Sequence, residues 1–360
     1  MKKICFIAQF PPPVHGLSKA VETLYDSDLQ LDFDFEKVDL TDNKRFLSNL
    51  AAIRKSKADL FYFTISQTTG GNLRDLIILK TLRKQHKPCL VHLHGGYYRK
   101  LVDHDLSEKQ RRANYNAVAD LAGAIVLSDS LKPIFQGMLP DERIHVVENC
   151  VDNAVLLNDE QIALKMSRFR SEPVLHILWL SNFIATKGYR DVLALADLEH
   201  RRRAAGGAPR FHFDFAGKFF DSDEENYFNT FVADHGLSDC ITYHGVVSGE
   251  KKVALLEQGA LFILPTRYPN EGQPISILEA MGNGMFIITT DHAGIPDIVT
   301  AGTNGILMTV DRKPADLYDE LMTLTNATIC NIGTHNRNYC LENFSEQAYL
   351  NKMKKIFQEI

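Results

Sequence analysis

Short apolar runs rich in β-branched and aromatic residues alternate along this chain with stretches of helical periodicity, and the series begins twice. The first set is KKICFIA (2–8), DLFYFTI (59–65), CLVHL (89–93), GAIVLS (123–128) and IHVV (144–147). The second is VLHILWLS (174–181), FHFDFAG (211–217), CITY (240–243), ALFIL (260–264) and MFIITT (285–290). Runs this continuous suit parallel strands covered on both faces, because a half-exposed strand would alternate apolar with polar. Between them, Leu17, Ala20, Val21 and Leu24 mark one helical stripe, and Leu73, Leu76, Ile77 and Lys80 to Leu82 lie in another. The pattern predicts two doubly wound α/β domains, 1–170 and 171–344, and a final helix within 345–360 that returns to the first domain. Ligands of such sheets gather outside the carboxyl ends of the strands, so the loops after each strand are where chemistry is sought.

Composition narrows the class. With 360 residues, 45% hydrophobic and 24% charged, and no run near the ~20 apolar residues of a membrane span, the chain reads as globular. The six cysteines are scattered, with no C-x-x-C pair, and are expected to be reduced core thiols of a cytoplasmic protein. Arg99, Lys100, Lys109, Arg111 and Arg112 form a basic cluster that would suit an anionic acceptor or the inner membrane surface, although an ordinary solvated helix face is the preferred reading. No G-x-G-x-x-G follows the first strand and no G-x4-G-K-[ST] is present, which argues against a nicotinamide dehydrogenase and an ATPase. No nucleic-acid partner is expected.

The densest chemistry lies in LPTRYPNEGQPISILEAMGNGMFIITTDHAGIPDIV (264–299). Pro274 is suited to the first position of a helix, so Glu271, Gly272 and Gln273 form the entering loop and Ile275 to Met281 the helix. Amides around Pro274, Ile275 and Ser276, with the helix dipole behind them, would receive a diphosphate. Glu279, about a turn in, can accept two hydrogen bonds from a vicinal diol such as a ribose, and Glu271 can do the same for sugar hydroxyls. As an isolated pair, two carboxylates at this spacing are more simply surface groups.

Taken whole, the segment resembles the donor-binding signature of retaining glycosyltransferase family 4, of the GT-B fold: Leu264-Pro265-Thr266, Glu271-Gly272, Glu279-Ala280-Met281, the turn at Gly284, and Gly294-Ile295-Pro296-Asp297. The resemblance implies two facing Rossmann-like doubly wound domains. It gives Glu279 the nucleotide ribose and places Glu271 beside the donor sugar and its phosphates. Three further segments fit. In QFPPPVHGLSKAV (9–21), His15-Gly16 falls where the family brings a glycine loop to the phosphates, which makes Gly16 a site candidate. In CLVHLHGGYYRK (89–100), His94 stands where the family contacts the donor sugar; His92 and His94 also raise an H-x-H metal site, for which the sequence places no third ligand. In LSNFIATKGYRDVL (180–193), Lys187 is placed to neutralise the diphosphate, but Asn182 stands where the family commonly has arginine. Arg190 is a conceivable replacement.

The function expected is therefore transfer of a sugar from a nucleoside-diphosphate sugar, a UDP-sugar first, to an acceptor hydroxyl on a saccharide or lipid-linked saccharide. Configuration would be retained, with no metal and no cofactor beyond the nucleotide-sugar co-substrate. His94, Lys187 and Glu271 are the expected catalytic groups. Gly16, Asn182, Lys187, Glu271, Gly272, Gln273, Pro274, Ile275 and Glu279 would hold the donor. No D-x-D is expected at a strand end ready to hold a metal against the diphosphate; Asp221-Ser-Asp223, the match weighed for that role, precedes a helix. A nucleotide-sugar epimerase and a non-catalytic nucleotide-sugar-binding subunit are the alternatives.

Overall fold

The computed structural model describes residues 1–12 and 16–360, which form two compact units. Met1–Cys150, Asn270–Gln273 and Glu346–Ile360 make the first, and Val151–Pro269 with Pro274–Ser345 the second.

The first unit is built on six strands, β1 (Lys2–Ala8), β2 (Phe33–Asp39), β3 (Leu60–Thr64), β4 (Cys89–His92), β5 (Gly123–Val126) and β6 (Ile144–Val146). They pair in parallel in the order β2-β1-β3-β4-β5-β6. Its helices are α1 (Gly16–Tyr25), α2 (Phe46–Lys55), α3 (Thr69–Lys84), a short α4 (Tyr98–Lys100) and α5 (Glu108–Ala119). Successive strand residues serve opposite faces. Cys5, Ile7, Phe61, Phe63, Val91, Ala124 and Val126 enter one apolar cluster with residues of α2, α3 and α5. Ile4, Phe6, Ala8, Leu60, Tyr62, Leu90 and Ile125 enter another, with residues of α1 and the terminal helix.

The second unit contains α6 (Asp159–Phe169), β7 (Leu175–Leu180), α7 (Tyr189–Ala204), β8 (Phe211–Ala216), α8 (Ser222–Asp234), β9 (Ile241–Tyr243), α9 (Gly249–Gln258) and β10 (Gly259–Leu264). It continues through α10 (Ile275–Gly282), β11 (Phe286–Thr290), β12 (Gly305–Met308), α11 (Pro314–Thr323) and α12 (Asn326–Asn343). The sheet is again all parallel, ordered β12-β11-β10-β7-β8-β9, so strand order reverses between β7 and β10. The final helix, α13 (Glu346–Glu359), belongs to the first unit.

Three expectations change. The first unit ends at Cys150 rather than near 170, because Val151, Val155, Ile162, Met166 and Phe169 all enter the second unit's core. Strands β2 and β12 were not expected; both lie on sheet edges, and β2, FDFEKVD, keeps only Phe33 and Val38 buried, so it lacks the apolar run of a central strand. In α3 the buried face is Asn72, Asp75, Ile78, Leu79 and Leu82, while Leu73 and Ile77 are exposed. Polar bonds turn the helix: Asn72 Nδ2 donates to Asn114 Oδ1 (2.7 Å), and the Ser66 amide donates to Asp75 (2.7 Å).

Candidate functional site

In the second unit, the loops following β7 and β10 meet at the point where strand order reverses, the place such sheets offer a ligand. The Arg267 amide donates to the Thr186 carbonyl at 2.7 Å, and Arg267 pairs with Asp191, also at 2.7 Å. Gly188 lies between them at φ +83°, where a Cβ would stand 2.3 Å from the Pro265 carbonyl oxygen, so only glycine lets the loops close this tightly. That closure sets Lys187, whose ammonium lies 4.9 Å above the Tyr268 ring. Asn182 is exposed on the same loop. Arg190 does not replace the missing arginine: it pairs with Glu224 (2.9 Å) and stacks 4.1 Å from the Tyr227 ring.

The chain re-enters this unit at Pro274, which caps α10 with extended ψ and no side-chain hydrogen bond. The first amides of an α-helix have no partner within it, so the start of α10, at Ile275, presents donors and a positive dipole end. Glu279 follows, buried, with Oε1 2.5 Å from the Lys252 ammonium on α9. A carboxylate has two oxygens and about four acceptor positions, so pairing with Lys252 is compatible with accepting from a diol. Lys252 went unnoticed in the sequence because GEKKVALLEQ reads as a solvated helix. Only the packing of α9 brings it to Glu279.

In the first unit, Asn270–Gln273 packs at the carboxyl ends of β4 and β5. Gln273 accepts from the Asn149 amide (2.7 Å), its carbonyl accepts from Asn149 Nδ2 (2.9 Å), and its own amide donates to the Leu127 carbonyl (3.2 Å). Gly272 is so close that a Cβ there would lie 2.9 Å from Gly95 Cα and 3.1 Å from the His94 carbonyl oxygen. The structure thus brings Glu271, Gly272, Gln273 and His94 together, with Glu271 and Gln273 buried. The Gln67 side chain accepts from the Tyr97 amide (2.6 Å) and steadies the Gly95-Gly96 turn. Neither Asn149 nor Gln67 carried a sequence signal, since each acts on residues distant in the chain.

The His94 ring lies against that of His92, tilted by 31° with centroids 3.9 Å apart, and the Nδ1 of His92 bonds the Tyr62 hydroxyl at 2.7 Å. Burial lowers the His94 pKa to about 3, so its imidazole is neutral at ordinary pH. Its Nε2 is buried without a hydrogen-bond partner, as is that of His92. Neither ring joins a group of three metal-type ligands among the described residues. Gly16 opens α1 and is exposed beyond the carboxyl end of β1; His15 lies outside the described residues. The Asp221 carboxylate caps α8 by accepting from the Asp223 amide at 2.9 Å.

Residues 165–354 match the family model described as Glycosyl transferases group 1. A putative colanic acid biosynthesis glycosyltransferase WcaL of Salmonella typhimurium is 28% identical over 38% of this chain and 35% of its own length. The GDP-mannose:cellobiosyl-diphosphopolyprenol alpha-mannosyltransferase of Xanthomonas oryzae is 24% identical over 64% of this chain. The matches span 35% and 56% of these two relatives. Among solved structures, HepE of Anabaena in complex with UDP superimposes with a TM-score of 0.75 at 14% identity, covering 100% of both chains, and this likeness gives the chain the GT-B fold. With more than half its length inside the family match, the chain belongs to the group 1 glycosyl transferases.

Proposed function

We propose that the protein is a retaining glycosyltransferase of family 4 that moves a sugar from a nucleoside-diphosphate sugar to an acceptor hydroxyl without a metal. The observation that carries this reading is the closure of the Lys187 loop onto the β10 loop at Gly188, at the reversal of strand order. As the glycosidic bond breaks, negative charge grows on the leaving diphosphate. Lys187 and the start of α10 at Pro274 and Ile275, where no side chain caps the helix, are the groups of the second unit assigned to meet it, and the resemblance gives Gly16 the same task. Glu279 binds the ribose, Glu271 the sugar hydroxyls, and His94, neutral, offers a hydrogen bond to the donor sugar.

Retention through a covalent intermediate would need two carboxylates about 5 Å apart, one of them nucleophilic. Glu271 and Glu279 are read instead as binding groups, so displacement on the front face, with the departing phosphate taking the acceptor proton, is the favoured course. The use of Asp221 as a helix cap supports the metal-free reading. A UDP-sugar is the first donor to test because the HepE structure contains UDP; the Xanthomonas relative, named for GDP-mannose and a diphosphopolyprenol-linked saccharide, makes GDP-sugars the second and a lipid-linked saccharide the acceptor class.

Calorimetry with UDP, GDP and ADP, followed by transfer assays with the matching sugars, tests this. Glu279→Gln should weaken the bound nucleoside diphosphate by about 10- to 150-fold, from the loss of a charged hydrogen bond of roughly 1.5–3 kcal/mol. Lys252→Met, which removes the partner of Glu279 but not the acceptor, should cost less. Equal affinity of wild type and Glu279→Gln for every nucleotide would take Glu279 out of the ribose site.

A further inference from the structure

Toward the amino ends of β7 and β8, His176 and His212 stand beside one buried carboxylate, Asp214, which His244 reaches from just past the carboxyl end of β9. His176 is the second residue of β7 and His212 the second of β8, and they are register partners; Asp214 lies two residues on, on the same face as His212. Asp214 Oδ2 is 2.6 Å from His176 Nδ1, and its Oδ1 is 2.7 Å from Nε2 of His244, just past β9. Ligand atoms of His176, His212 and Asp214 all lie within 4.8 Å of one another. His212 Nε2 is held 2.8 Å from Thr242 Oγ1, which leaves Nδ1 as the nitrogen for another partner.

We propose that His176, His212 and Asp214 form a binding site for a divalent transition-metal ion of the zinc type, distinct from the sugar-transfer site. Imidazole and carboxylate donors are the set such ions take, at roughly 2.0–2.2 Å each, and the contraction needed from the present spacing is within side-chain reach. The outer contacts of a metal site are already in place: His244 holds the second oxygen of Asp214, and Thr242 holds the far nitrogen of His212. An open groove of about 410 Å³, lined by His176, Gln258, Glu172 and Glu257, gives an entry path and adds negative charge at its rim. Two cations are near: Arg168, which lines the groove and donates to the Glu257 carbonyl (3.0 Å), and Arg203, which is committed to Glu199 (2.9 Å) and the Phe211 carbonyl; the Gln258 amide, 3.1 Å from His176 Nδ1, would have to give way to the ion.

A second group, His200, Asp239 and Cys240, is less suited. Arg203 lies 3.7 Å from Asp239, and burial pushes the Cys240 thiol up to about 12, so a thiolate is costly there. The proposed ion would take the place of the hydrogen bond between His176 and Asp214, the ring proton moving to the nitrogen of His176 that faces away from the ion, and would tie β7 to β8. His176 and His212 lie some five residues of strand from the β7 loop, about 16 Å at 3.3 Å per residue, and Asp214, in register with Leu178, some three, about 10 Å, so the ion would stabilise the sheet without touching the donor.

The test is calorimetry of chelator-stripped full-length protein with Zn²⁺, paired with the visible absorption of bound Co²⁺. One ion per chain is expected, with affinity falling as pH drops below the imidazole range. His212→Ala and His176→Gln should each abolish the Co²⁺ band, His244→Ala should weaken Zn²⁺ by about 10- to 100-fold as an outer contact does, and His200→Ala should change nothing. Asp214→Asn, nearly isosteric, gives a second ligand variant if a histidine change disturbs folding, as read by circular dichroism without metal. Absence of a Co²⁺ band in wild type, or unchanged one-to-one Zn²⁺ binding in His212→Ala, overturns the proposal. Nucleotide affinity, measured on the same samples, should be the same with and without Zn²⁺, which separates this site from the function proposed above.

Discussion

The ammonium of Lys165 is buried and donates to the carbonyls of Leu256 (2.6 Å) and Asn283 (2.7 Å), with the Phe169 ring 5.7 Å away. It therefore binds the ends of α9 and α10, the helices that carry Lys252 and Glu279. No carboxylate pairs with it among the described residues, and burial lowers its pKa from 10.5 to about 7. Below about pH 7 the folded and unfolded chains both carry this proton, and the cost of burying the charge is felt in full. Between about 7 and 10.5 the unfolded chain keeps the proton and the folded chain sheds it, so Lys165 makes stability rise with pH across that window. Lys165→Met has no such dependence. Denaturant melts at pH 7 and pH 10 should show the stability difference, wild type minus variant, growing in favour of wild type. A gap that stays constant would mean the ammonium remains charged in the folded protein.

At the scale of elements, the β7 and β10 loops are held by contact rather than by their own propensity. Gly188→Ala places a methyl against the Pro265 carbonyl at φ +83°, a conformation non-glycine residues adopt at a cost of order 1–3 kcal/mol. The expected result is a melting temperature lower by several degrees and weaker nucleoside-diphosphate binding, as Lys187 shifts from Tyr268. Nucleotide affinity unchanged despite a lowered melting point would separate the loop's stability from the donor site. The same elements show what was legible in the sequence. Central strands were, because burial on both faces leaves an unbroken apolar run, and so were the edge strands β6 and β9; β2 was not, since charged residues interrupt its run, nor was the four-residue β12. Pro274 marked the start of α10 to the residue, through the fixed φ of proline. The pairing of Glu279 with Lys252 and of Gln273 with Asn149 was hidden, since side chains meeting across 27 and 124 positions leave no local pattern. The histidines around Asp214 were hidden for a related reason: they lie on β7, on β8 and just past β9, and the adjacency of these strands exists only once the sheet order is known.

At the scale of the whole molecule, the last fourteen-residue helix is part of the first unit's core although it follows the entire second unit in sequence. Tyr349, Leu350, Met353, Ile356 and Phe357 are buried in the cluster that holds Ile4, Phe6, Tyr62 and Leu90. The Phe357 ring meets Phe6, Phe33 and Tyr62 at centroid distances of 6.2, 5.7 and 6.1 Å. Apart from α1, no other α-helix among the described residues enters that cluster. Burial of an apolar side chain contributes about 1.5–3 kcal/mol, so losing five at once approaches the whole stability of a domain, about 5–15 kcal/mol. A chain truncated after Ser345 should consequently lose its first unit selectively. Hydrogen exchange should show the amides of β1, β3 and β4 unprotected while those of β7, β10 and β11 stay protected, because the second unit has its own continuous core. On the function proposed above, the truncated chain keeps the Lys187 loop and Glu279, so nucleoside-diphosphate binding should persist while sugar transfer is lost. Protection of β1 and β3 that survives the truncation would show that α1 alone can cover that face of the sheet.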